Sequence, residues 1–190
     1  MTRHLLLAGA AALSLSLAAC GQKTDRTEAV APDANPAATV PTPADETAAP
    51  DFVAKAAASD MFEVEAGKIA LERSSNAQVK DFAQMMVEGH TKTTANLKAA
   101  IAASGLTLTP PTALPDDKSA MLADLRAVDA KDFDRKYMDG QVDAHQATLD
   151  LMARYAEGGD NETLKSAAQA TAPIVQQHLD KARAIRDALT

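Results

Sequence analysis

From residue 51 onward, apolar residues return at steps of three and four along four stretches of about 24–29 residues, each closed by helix-breaking residues. That period paints one side of an α-helix; a strand would need alternation at every second residue. Asp51 follows Pro50 and is placed to cap a first helix, with a stripe through Val53, Ala57, Val64 and Leu71 that runs to about Arg73. Ser74-Ser75-Asn76 is a break in which Asn76 can cap a second helix over 76–104, carrying Val79, Phe82, Met86, His90, Leu97 and Ile101. Gly105 stops it.

Leu106 to Pro115 contains three prolines and cannot be helical; only Leu106-Thr107-Leu108 there could read as a strand. A short helix is predicted over 116–128, with Met121, Leu122 and Leu125. Asp129 is placed to cap a third long helix over 130–157, with Met138, Val142, His145, Leu149 and Met152 on one side. Gly158-Gly159 ends it, and Asp160 or Asn161 opens the last helix, which carries Leu164, Ala167, Thr171, Ile174, His178, Ala182, Ile185 and Leu189. Pro173 lies inside that helix and is expected to kink or split it. The first and third junctions are tight, whereas the middle one spans about 25 residues. Two hairpins joined by a long crossover that carries a short extra helix is the ferritin-like four-helix arrangement, so the predicted fold class is all-α.

Composition narrows the rest. Aromatic residues are 3% of the chain and tryptophan is absent, so the core is expected to be aliphatic. The net charge of −7 leaves no electrostatic footprint for nucleic acid, which is excluded as a partner. A single cysteine rules out an internal disulfide. That cysteine ends an apolar run from Leu5 to Ala19, behind Arg3 and His4. The run is too short and too rich in small residues for a comfortable membrane span. Its last four residues, Leu17-Ala18-Ala19-Cys20, resemble a bacterial lipobox. The resemblance implies removal of residues 1–19 as a signal peptide, acylation of Cys20 and tethering to a membrane. Gly21 in second place, rather than Asp, points to the outer membrane and a periplasm-facing domain. Residues 20–50 hold Pro32, Pro36, Pro41, Pro43 and Pro50 and few branched apolar residues, the composition of a disordered tether. The folded domain is then residues 51–190.

Three V-x-x-H patterns stand out: Val87 to His90, Val142 to His145 and Val175 to His178. Residues three apart share a helix face, so each histidine points where its valine points. His90 and His145 fall at the middles of their predicted helices, and His178 lies about three residues past the middle of the last. Glu63 sits at the middle of the first helix, with Glu65 close by. In a bundle of equal helices, mid-helix groups share one layer. Three imidazoles buried there must either bond one another and nearby acids or hold an ion, because an unpartnered buried imidazole costs about 1–3 kcal/mol. Histidine suits Zn, Cu and Fe, so one such ion is the implied cofactor, with Glu63 and Glu65 as candidate acids. Glu88 and Asp143 lie two residues before a histidine and are expected to face solvent.

Segments Phe82 to Lys92, Tyr137 to His145 and Pro173 to Leu179, with Glu63 to Lys68, resemble the bacterial family catalogued as domain of unknown function 4142. The resemblance covers about residues 51–188 and implies a ferritin-like bundle, usually exported, without an assigned activity. Di-iron members of the ferritin-like class place glutamate three residues before histidine. Here those places hold Val87, Val142 and Val175, so the bridging carboxylates are missing and at most a single ion is expected. The reading is therefore a lipid-anchored envelope bundle, non-enzymatic, acting in binding or stress protection. Its alternative is a metal-binding or redox protein with a central histidine site. A third reading makes the histidines a pH switch.

Overall fold

The computed structural model describes residues 47–189, all α-helix and connecting loop; among the described residues there is no strand, and Leu106-Thr107-Leu108 is loop. The helices are α1 (Ala49–Arg73), α2 (Ala77–Ala103), α3 (Asp116–Ala127), α4 (Ala130–Gly158) and α5 (Glu162–Ala188). No helix is long and apolar enough to cross a membrane among the described residues. The lipobox, Cys20 and most of the tether lie outside the described residues.

The caps show why the helices begin where they do. Asn76 Oδ1 accepts from the amides of Gln78 and Val79, and Asn161 Oδ1 from those of Thr163 and Leu164. Gly105 takes a φ of +74° just beyond α2, a conformation that favours glycine. The first helix differs from expectation. It starts three residues earlier, with Ala48 rather than Asp51 at the cap position and Ala49 its first residue, and Pro50 falls in a first turn where no amide proton is needed. Asp51 does not cap it; Asp160, from the α4–α5 turn, accepts the Ala49 amide at 2.9 Å. Asp129 likewise makes no side-chain cap for α4.

Those contacts set the directions. The start of α1 meets the α4–α5 turn, and Asn161 Nδ2 donates to the Ser104 carbonyl beyond the end of α2. At the other end of the bundle, the Arg73 guanidinium donates to the carbonyls of Leu125, Arg126 and Val128 and lies over the Phe133 ring. The crossover therefore runs the bundle's length, α2 and α4 are parallel, and neighbours around the ring α1–α2–α5–α4 are antiparallel. This is the ferritin-like arrangement the loop lengths predicted, with α3 laid against α1 and α4.

The core departs from expectation in one respect. The chain has only six aromatic residues, and all six — Phe52, Phe62, Phe82, Phe133, Tyr137 and Tyr155 — are buried. Scarcity does not exclude aromatics from the core when every copy is placed there. On α1, Val64 and Leu71 are only half-buried. Steps of seven drift about 20° per repeat around a helix of 3.6 residues per turn, so the buried face moves on to Phe62, Ala66, Ile69 and Ala70. Pro173 neither splits nor ends α5. It and Gln169, whose carbonyl loses its amide partner, both lie on the exposed side, where water can serve that carbonyl.

Candidate metal centre

The apolar core comes in two clusters. One holds Phe62, Ile69, Phe82, Met86, Met138 and Leu179, and the other Phe52, Val53, Leu97, Met152 and Leu164. Each long helix crosses from one cluster to the other through a buried polar stretch. These stretches supply Ser59, Asp60 and Glu63 from α1, His90 and Thr93 from α2, His145 and Thr148 from α4, and His178 from α5.

In that layer His90, His145 and His178, exposed by only 2, 1 and 5%, face one another. One ring nitrogen from each lies within 4.8 Å of the others. Ring centroids are 5.4, 5.4 and 5.5 Å apart, a nearly equilateral triangle. The offset of His178 along its helix does not keep it from the other two.

Surrounding groups fix the rings. His145 Nδ1 meets the Gln141 carbonyl at 2.8 Å, and a carbonyl can only accept, so this nitrogen carries the proton. His90 Nδ1 meets Asp60 Oδ1 at 2.8 Å and donates to the carboxylate. Asp60 is itself held by the hydroxyls of Thr93 at 2.7 Å and Thr94 at 3.1 Å. With both Nδ1 atoms committed, His90 Nε2 and His145 Nε2 point at each other across 3.4 Å. Two ligands bound at ~2.05 Å in a tetrahedron stand ~3.3 Å apart, so this pair already has the spacing of a shared ion.

Protonation follows the same geometry. Burial lowers the His90 pKa, but the Asp60 hydrogen bond and the charges of Glu63 and Asp60 outweigh it, so the net shift is upward. The His145 pKa is lowered, first by burial and then by His90, against the opposing pull of Glu63 and the Gln141 carbonyl. His178 is pushed down to about 3, by burial first and then by His90, His145 and Lys181. Asp60 and Glu63 thus favour the charged form of His90, whereas burial favours the neutral form of His145 and His178, and a proton held between His90 Nε2 and His145 Nε2 would occupy the lone pair of His145. A metal ion would displace that bridging proton.

Glu63 is 1% exposed, and both its carboxylate oxygens lack a hydrogen-bond partner. His145 Nδ1 lies 4.0 Å from Glu63 Oε1. Asp60 hydrogen-bonds His90 directly, the outer-carboxylate arrangement that orients an imidazole, whereas His145 is oriented by the Gln141 carbonyl and Glu63 adds only its negative charge beside the ring. Glu65 does not join them. Its side chain is 41% exposed and pairs with Lys68, because two residues along a helix turn it about 200° from Glu63. Glu88 and Asp143 are exposed, as expected. Asp60 and Gln141 are absent from the sequence reading. Asp60 was within reach of it, since Ala56, Asp60, Glu63 and Gly67 continue one stripe at steps of four, three and four.

Gly89 explains how His178 fits. A Cβ there would lie 3.0 Å from His178 Cε1 and 3.4 Å from Nε2. Glycine in mid-helix costs about 0.5–1 kcal/mol relative to alanine, and here its bare backbone leaves room for the third imidazole. Gly89→Ala is expected to keep or raise the urea midpoint while displacing His178 by a few tenths of an ångström. Loss of metal affinity without loss of stability is the expected signature; equal affinity in the variant would remove that role. The layer is also reached from outside, through a cavity of about 350 Å³ between α2 and α5 lined by Asp60, His90, Thr93, Phe52, Leu97 and Met152.

Fold and site together define a four-helix bundle with a buried three-histidine, two-carboxylate layer. The chain belongs to the family described as Domain of unknown function (DUF4142), which matches over residues 34–185. No curated protein and no solved structure matches it.

Proposed function

We propose that this protein binds one transition-metal ion on His90, His145 and His178, with Asp60 as the outer carboxylate on His90 and Glu63 as a negative charge beside His145. The 3.4 Å approach of two Nε2 atoms whose Nδ1 atoms are already committed supports this reading most directly. Imidazole ligands suit Zn, Cu or Fe, and three of them leave a fourth position for water or a small ligand. Iron paired across bridging glutamates does not fit, since Val87, Val142 and Val175 stand where those would be. The activity is binding, with no reaction assigned. The test is the metal content of the full-length chain after exposure to Zn²⁺ or Co²⁺ and removal of excess. One ion per chain is expected; no retained ion would leave a histidine–carboxylate network of purely structural use.

We further propose that the bundle is held at the envelope face of a bacterial membrane by acylated Cys20, the basis being the Leu17-Ala18-Ala19-Cys20 sequence. Labelled fatty acid should be incorporated into the wild type and not into Cys20→Ser, which should also leave the membrane fraction. Equal labelling of the two would dismiss the anchor.

A further inference from the structure

Buried polar atoms nearly always find partners, and in this bundle the exceptions are not scattered. Among the described residues, the buried side-chain atoms without one are Asp134 Oδ1, Tyr137 Oη, Gln141 Oε1, the two Glu63 oxygens and His178 Nδ1. Asp134, Tyr137, Gln141 and His145 follow one another on α4 at steps of three, four and four, so they share a face about one 5.4 Å turn apart. Three residues with unpaired oxygens thus file along the face of α4 that leads to His145, whose Nδ1 lies 4.0 Å from Glu63 Oε1. A cavity of about 160 Å³ between α1, α3 and α4 opens on two of these residues, Tyr137 and Gln141. Tyr137 and Gln141, each 1% exposed, form its inner wall. Asp124, Asp139 and Asp143 stand around it, with Lys136 as the one cationic lining residue.

We propose that this acidic cavity and the oxygen file behind it are the path by which a divalent cation reaches the histidine centre. The proposal rests on the metal-binding reading above. Oxygen atoms with no partner suit a cation shedding water in steps, since each offers a lone pair that nothing else occupies. The carboxylate surplus raises the local cation concentration at the mouth. The cavity between α2 and α5 is lined by His90 itself, but its walls are mostly apolar and Asp60 is its one carboxylate, against three aspartates around the acidic cavity. It suits a cation less well.

Gly140 lines the acidic cavity, and a Cβ there meets nothing within 4 Å, so a large side chain at this place can cover the mouth without disturbing the bundle. The experiment follows Co²⁺ uptake by the full-length chain in stopped flow and equilibrium affinity in parallel. Gly140→Trp is expected to slow uptake and to leave affinity unchanged. Asp139→Asn with Asp143→Asn should slow it too and flatten its dependence on salt, and Tyr137→Phe should slow it without changing the mouth. Ala170→Trp, in the cavity between α2 and α5, should bind Co²⁺ at the wild-type rate. Unchanged rates in both the Gly140 variant and the double Asn variant, or slowing confined to Ala170→Trp, would overturn the path while metal binding stands. A wild type that takes up no Co²⁺ would sink the metal-binding reading and the path with it.

Discussion

Glu63→Met should raise the unfolding free energy of the metal-free protein by about 1–4 kcal/mol and weaken its metal affinity by about 10–100-fold. Both parts follow from where the carboxylate lies. It is 1% exposed, and neither oxygen has a partner. A carboxyl group taken out of water regains that loss only through close hydrogen bonds or an opposite charge, and His145 Nδ1 at 4.0 Å already donates to Gln141. Methionine is unbranched and flexible enough to fill the same space without polar atoms. Urea titration of the metal-free chain reads the first effect and metal titration the second. A destabilised metal-free variant would mean that Glu63 is satisfied within the fold, which would remove the main reason for a cation beside it.

A residue kept at a cost to stability is the kind that sequence patterns locate poorly. The helices were legible because their ends are chemical: Asn76 and Asn161 cap, Gly105 and Gly158-Gly159 stop, and the prolines between Leu106 and Pro115 forbid continuation. The histidine layer was legible because ends that are well marked also mark the middles, and antiparallel helices of similar length bring their middles together. What stayed hidden depends on which way a polar side chain turns. The stripe through Ala56, Glu63 and Gly67 puts Asp60 on the inner face, but that its carboxylate holds His90 shows only in the contacts it makes with that ring and with the Thr93 and Thr94 hydroxyls on the neighbouring helix. Glu63 and Glu65 are both glutamates near the middle of α1, and the rotation between them decides which is buried. Tyr137 and Gln141 carry no sign in the sequence that their polar atoms lack partners. The Asp160 cap on α1 comes from 111 residues away, beyond the reach of any local pattern.

Saturating Zn²⁺ should raise the melting temperature of the wild type by roughly 10–15 °C and leave that of His145→Ala unmoved. An ion that binds the folded chain alone, at a thousand times its Kd, stabilises by about 4 kcal/mol. For a domain of this size that corresponds to a shift of this order. His145 is the informative position because it links the layer: its Nε2 faces His90, its ring is edge-on to His178, and Glu63 stands behind it. Its removal leaves two imidazoles from α2 and α5 with no third, and two such ligands cannot close a tetrahedral site. Truncation also opens a cavity and lowers the starting melting temperature, so the difference with and without metal in each protein is the measurement that decides. Glu65→Gln, which alters an exposed carboxylate paired with Lys68, should keep the full shift. Equal shifts in wild type and His145→Ala would place the ion elsewhere on the chain, and the converging imidazoles would then be a hydrogen-bonded core layer and nothing more.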